Sequence, residues 1–150
     1  MSDLRDLYQE LILDHTKRPR NFGQLATANR KAEGFNPLCG DRVTVHLELD
    51  GDTVREIHFE GSGCAISTAS ASLMTEAIKG LRVEDARALF EQVHKLVTGA
   101  SGPNGGGPSL GKLVVLAGVR DYPIRVKCAS LPWHTLCAAL SGGDETVTTE

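Results

Sequence analysis

Apolar residues recur every three or four positions at the start of the chain. Leu4, Leu7, Tyr8, Leu11 and Ile12 share one face of a helix over residues 3–16, with Ser2 or Asp3 as its cap. Pro19, Asn21 and Gly23 end that pattern, and residues 24–35, small and polar, predict a loop or an irregular strand. The period then changes to two. Val43, Val45, Leu47 and Leu49 alternate with Thr44, His46 and Glu48. Asp50-Gly51 marks a tight turn, and residues 53–60 return with Ile57 and Phe59 inward, which puts His46 and His58 on the solvated face. Gly61 and Gly63 stop the strand, and a helix rich in small residues follows over 65–79, closed by Gly80. Its Ser67, Thr68, Ser70, Ser72 and Thr75 are expected to bond back to carbonyls one turn earlier. Residues 83–98 predict an amphipathic helix, 99–108 a glycine- and proline-rich loop, 110–117 a short apolar helix, and 132–140 a helix begun by Pro132.

Composition narrows the class. The 150 residues, 41% hydrophobic and 23% charged, suit one domain spanning 1–150, with 141–150 a flexible polar tail. A formal net charge of −3 argues against a nucleic-acid partner. Apolar runs are too short to span a membrane, and the acidic start lacks the apolar core of a secretory signal, so the expected location is cytoplasmic. Thiols stay reduced there, which turns the four cysteines from disulfide partners into candidate metal ligands, reactive thiols or core residues. The chain has no C-x-x-C pair, which counts against a zinc ribbon or a thioredoxin-type site.

Asn36-Pro37-Leu38-Cys39-Gly40-Asp41 carries a thiol and a carboxylate two positions apart, half of a tetrahedral metal site. The hairpin returns the chain to the same end of the sheet, where Cys64 sits at a strand-to-helix junction that favours a thiolate. Cys128 lies beside Arg125 and Lys127, which would stabilise it as thiolate. Spacings of 24 and 63 residues between Cys39, Cys64 and Cys128 mean that only tertiary folding could unite them, and unrelated core cysteines remain an alternative. Cys137 is most simply a small buried hydrophobe. The cationic cluster Lys17, Arg18 and Arg20 is either a solvated loop or a basic handle for a protein partner.

Four stretches together resemble the U-type iron–sulfur cluster assembly proteins, the IscU/NifU-like family. They are Asp14-His15-x-Lys17-x-Pro19-Arg20-Asn21, Asn36-Pro37-x-Cys39-Gly40-Asp41, Gly61-x-Gly63-Cys64-x-Ile66-Ser67 with Ala69-Ser70-Ala71-Ser72, and Arg125-x-x-Cys128-x-x-Leu131-x-Trp133. Lys127 stands where IscU proteins carry a histidine, and Asp121-Tyr122-Pro123-Ile124-Arg125 replaces their chaperone motif, so the resemblance is to the SufU branch. It implies an α+β fold, a small antiparallel β-sheet packed against several α-helices. It implies zinc on Cys39, Asp41, Cys64 and Cys128, with Arg125 and Lys127 offsetting a formal charge of about −2 on that centre. It implies a persulfide-sulfur acceptor, with Cys39 receiving sulfur from a SufS-type cysteine desulfurase after an exchange of zinc ligands. Delivery would be to a downstream Suf cluster-assembly complex, and a monomer is expected. A scaffold for a transient [2Fe-2S] cluster and a structural zinc adaptor are the alternatives. Sulfurtransferase-like behaviour is expected rather than independent hydrolase or oxidoreductase activity, because a site of four protein ligands implies no open water position.

Overall fold

The two-residue period over 43–60 builds the centre of the sheet. A computed structural model describes the backbone of residues 2–36, 40–98, 123–141 and 146–148, and the side chains of 9–36, 40–98 and 126–141. Strands β2 (Asp41–Asp50) and β3 (Thr53–Ser62) pair antiparallel from Arg42 opposite Ser62 to Asp50 opposite Thr53. The turn between them uses Gly51 at φ 61°, where a side chain would be strained. Val43, Val45, Leu47, Ile57 and Phe59 are buried from these strands.

Residues expected to be loop or irregular strand form β1 (Arg30–Asn36), antiparallel to β2 with Arg30 opposite Leu47 and Asn36 opposite Asp41. Its inward positions are Ala32, Gly34 and Asn36, so no hydrophobic alternation announces it. The reason is steric: a Cβ at Gly34 would collide with Thr135 Oγ1 and meet Leu131 Cδ1 at 3.0 Å. A helix lies directly on this strand, and only small residues fit beneath it. The sheet order is β3-β2-β1-β4, in which β4 (Thr146–Thr148) runs parallel to β1. That strand falls inside the segment expected to be a flexible tail, and it gives an otherwise antiparallel sheet one parallel edge.

Four helices are described: α1 (Ser2–Lys17), α2 (Ala65–Ile78), α3 (Val83–Thr98) and α4 (Pro123–Leu140). Helix α2 covers β3, α4 covers β1 and β2, α1 packs on α2, and α3 packs on α4. The α4 boundary corrects the expectation of a helix beginning at Pro132, which instead lies inside the helix. Proline costs one ladder bond, but Cys128, Ala129, Leu131, Trp133, Leu136 and Ala139 are all buried, and that burial outweighs the loss. The segments 99–108 and 110–117 lie outside the described residues. Among the described residues, no helix is long and apolar enough to cross a membrane.

His46 also departs from expectation. It is 6% exposed rather than solvated, with Nε2 2.9 Å from Glu60 Oε1. Residues 24–31 fold over that face, lining a hollow that includes His46. His58, opposite it in register, stays partly exposed.

Candidate metal centre

Three chain segments deliver the site. Asp41 is the first residue of β2 and is fully buried. Its Oδ1 accepts a hydrogen bond from the Cys64 amide at 2.8 Å, so the carboxylate is oriented by the strand-to-helix corner. That corner is shaped by glycines. A Cβ at Gly61, whose φ is 148°, would strike the Arg42 carbonyl, and one at Gly63 would come within 2.7 Å of Asp41 Oδ1.

Cys64 is the N-cap of α2, with φ −74° and ψ 169°. Its Sγ accepts from the Ser67 amide at 3.4 Å, the role usually taken by Ser, Thr, Asp or Asn. The amides and dipole at a helix N-terminus favour the thiolate. The Cys64 thiol also donates to Asp41 Oδ2 at 3.5 Å. Cys128 reaches the same place from α4 and is 3% exposed. The ligand atoms of Asp41, Cys64 and Cys128 all lie within 4.8 Å of one another.

These dimensions fit a tetrahedral metal. Zn–S bonds of about 2.3 Å and Zn–O bonds of about 2.1 Å give tetrahedral edges of roughly 3.8 Å between sulfurs and 3.6 Å between sulfur and oxygen. The Cys64–Asp41 approach of 3.5 Å already matches the second edge. Two thiols and a buried carboxylate would need only small inward movement to close on one ion, and their donor set suits a borderline divalent cation.

Cys39 lies outside the described residues. Its neighbours bracket the site: Asn36 pairs with Asp41, and the Gly40 amide donates to the Asn36 carbonyl at 2.8 Å, with Gly40 at φ 73°. The Arg125 side chain is likewise outside the described residues, whereas Lys127 is partly buried beside Cys128 in α4. Cys137 and the five histidines do not join the cluster among the described residues. Burial pushes the Cys137 thiol above its usual range, as a packed small hydrophobe requires.

The family model described as the NifU-like N terminal domain matches residues 7–129. The chain belongs to that family. It is 42% identical over 135 residues to the zinc-dependent sulfurtransferase SufU of Bacillus subtilis, covering 90% of each chain. It is 39% identical over 140 residues to the iron–sulfur cluster assembly scaffold protein IscU of Streptococcus pyogenes, covering 93% of this chain and 86% of that one. A crystal structure from Fervidobacterium islandicum AW-1, described as an iron–sulfur cluster assembly scaffold for the SUF system, superposes with a TM-score of 0.80 at 37% identity. That match covers 87% of this chain and 94% of the other.

This NifU-like domain contains one feature that the sequence pattern misassigns. The hydroxyl run of α2 does not mainly bond back along its own helix. Ser70 Oγ donates to the Ala129 carbonyl at 2.6 Å and accepts from Trp133 Nε1 at 3.2 Å. Ser72 Oγ lies 2.6 Å from His15 Nδ1 and accepts from the Arg20 amide at 2.8 Å. Thr75 alone of these three keeps a bond within α2, to the Ser72 carbonyl at 2.7 Å, while also accepting from Asn21 Nδ2. The Asp14–Asn21 motif is thereby explained as an anchor. Arg20 is tied to Asp14 Oδ2 at 2.6 Å and holds that carboxyl below its ordinary range, so this cation is paired while still partly exposed. The available signal was spacing: Ser67 and Ser70 share one face of α2, Ser72 and Thr75 another.

Proposed function

We propose that this chain is a zinc-dependent acceptor of persulfide sulfur in iron–sulfur cluster assembly, working with a cysteine desulfurase. The convergence of Asp41, Cys64 and Cys128 within 4.8 Å carries the proposal. Cys39, two residues before Asp41, is the fourth ligand and the acceptor thiol. Arg125 and Lys127, flanking Cys128 in sequence, offset the negative charge of three thiolates and a carboxylate. Zinc bound there would keep the thiols deprotonated and shield them from oxidation.

The chemistry is thiol exchange. The Cys39 thiolate attacks the terminal sulfur of the desulfurase persulfide. A new S–S bond forms on Cys39, the old S–S bond breaks, and the desulfurase cysteine leaves as thiolate. The outer sulfur carries its own proton across, so Cys39 ends as the persulfide, the desulfurase cysteine ends as the thiolate, and no oxidant or reductant is needed. Asp41 is the hardest donor of the set and its carboxylate has a second partner in the Cys64 amide, so it is the ligand best able to let go.

The names of the relatives support the reading: zinc-dependent sulfurtransferase for the Bacillus subtilis protein. The scaffold name of the Streptococcus pyogenes relative favours the second reading, assembly of a [2Fe-2S] cluster on the same residues. Lys127 in place of a histidine beside Cys128 leaves the described ligand cluster without an imidazole, which favours the first. Sulfide release by a cysteine desulfurase supplied with free cysteine separates them. The zinc-loaded protein should stimulate turnover and Cys39→Ala should abolish the stimulation. Equal stimulation by Cys39→Ala would refute the acceptor role, and a stable visible chromophore after anaerobic loading with iron and sulfide would favour the scaffold.

A further inference from the structure

We infer that Ser70 is a positioning residue for the metal centre, holding the Cys128 segment of α4 at a fixed reach from Cys64 on α2. The inference rests on the metal-site reading above and assigns it a residue that no ligand chemistry requires.

Cys64 caps α2 and Cys128 rides on α4, so the distance between their sulfurs depends on how the two helices dock. Ser70 is fully buried in that contact, six residues after Cys64. Its hydroxyl donates to the carbonyl of Ala129, the residue next to Cys128, and accepts from the Trp133 indole one turn later. Two points of α4 that straddle Pro132 are thereby fixed to one atom of α2.

The clamp spans the proline of α4. Pro132 has no amide hydrogen, and its ring bears on the carbonyl four residues back, which is that of Cys128. The α4 ladder thus lacks the bond that a residue 132 amide would make, and the Ser70 contacts tie the helix on either side of that gap. A serine inside a helix ordinarily satisfies itself on its own backbone. Here it serves the neighbouring helix instead, and its removal would leave a buried indole N–H without an acceptor.

Cobalt(II) is the probe, because its thiolate absorption reports ligand geometry directly. Full-length wild type, Ser70→Ala, Trp133→Phe and Ser72→Ala are loaded with cobalt, and spectra, chelator-driven release and thermal unfolding are recorded. Ser72 is the control. It is equally buried and also ties elements to α2, but its partners are His15 and Arg20 rather than α4. Ser70→Ala should distort the thiolate bands and release cobalt about tenfold faster, within the range for residues that orient ligands. Trp133→Phe should release it about threefold faster, since the Ala129 bond survives. Ser72→Ala should unfold earlier yet keep the wild-type spectrum and release rate.

Equal release from Ser70→Ala and Ser72→Ala, or a wild-type spectrum in Ser70→Ala, would overturn the inference. If Ser70→Ala does not fold, equal release from Trp133→Phe and Ser72→Ala overturns it. Absence of thiolate bands in the wild type would instead sink the metal-site reading itself, and the positioning role with it.

Discussion

Two regions of this domain each gather residue types that can ligate metals, and only one of them converges. At one end of the sheet, Asp41, Cys64 and Cys128 bring ligand atoms within 4.8 Å. Along the α3–α4 seam, His94, His134 and Phe90 pack in edge-to-face and tilted pairs at ring centroid distances of 5.2–5.9 Å, with Cys137 one turn beyond His134. The seam has imidazoles and a thiol, yet among the described residues only the sheet-end trio converges. The difference lies in backbone placement. Asp41 begins a strand and Cys64 caps a helix, so both side chains emerge where chain direction changes and can turn inward. His94 and His134 sit mid-helix, where packing lays rings against one another instead of aiming nitrogens at a point.

The largest test of this contrast exchanges sulfur for oxygen at each place. Cys128→Ser should lower zinc affinity by more than about 100-fold, beyond what a change outside the ligand set produces. Cys137→Ser should leave affinity within about twofold and cost on the order of 1 kcal/mol from a partly buried hydroxyl. Competitive chelator titration measures the first and denaturant unfolding the second. Equal affinity loss in both variants would erase the distinction.

Much of the sheet end was legible in the sequence because its signals are local. The Val43–Leu49 alternation, the Asp50-Gly51 turn and the glycines before Cys64 each dictate backbone shape, and together they place Asp41 beside Cys64. Cys128 was legible as a candidate thiolate from its cationic neighbours, but its convergence with Asp41 and Cys64 was not, because that depends on how α4 docks. The extent of α4 was not legible, since Pro132 reads as a start and only tertiary burial reveals it as an interior residue. Strand β1 was legible only as a loop or an irregular strand, because its inward residues are small to admit that same helix. The α2 hydroxyls were misassigned because the sequence shows that they are polar, not which helix they serve.

A smaller perturbation sharpens the sheet end without touching a ligand. Gly63 has ordinary backbone geometry for an alanine, but the added Cβ would lie 2.7 Å from Asp41 Oδ1 and 3.1 Å from its Cγ. The movable part is the carboxylate, which must swing away and loosen its bond from the Cys64 amide. Gly63→Ala should therefore release zinc about tenfold faster, as for other changes to ligand orientation. The metal-free protein should lose less than about 1.5 kcal/mol. Stopped-flow zinc release into a chromophoric chelator tests this. A wild-type rate would mean that Asp41 orientation does not govern metal retention.

The smallest expected effect belongs to the histidine seam and appears as pH dependence. Burial first, and then the neighbouring His94, hold the His134 imidazole below its ordinary 6.5. The charged and titratable groups nearby are His94 from α3 and, around Cys137, Arg87 and Glu91. The folded state thus keeps His134 neutral at a pH where the unfolded chain already binds a proton. Its stabilising contribution is complete above 6.5 and is lost as pH falls from there towards the lower folded value. The slope cannot exceed about 1.4 kcal/mol per pH unit, the limit for one proton. His134→Gln should flatten the fall in unfolding free energy between pH 7 and pH 5, measured by urea titration of the zinc-loaded proteins. Acid loss of metal affects both proteins alike and cancels in the difference. Asp14 does not confound the window: Arg20 holds its carboxyl below the ordinary 3.8, so its contribution fades only at lower pH. Parallel curves for wild type and variant would show that the seam is no more proton-sensitive than the rest of the fold, leaving ligand convergence as the only chemistry that separates the two regions.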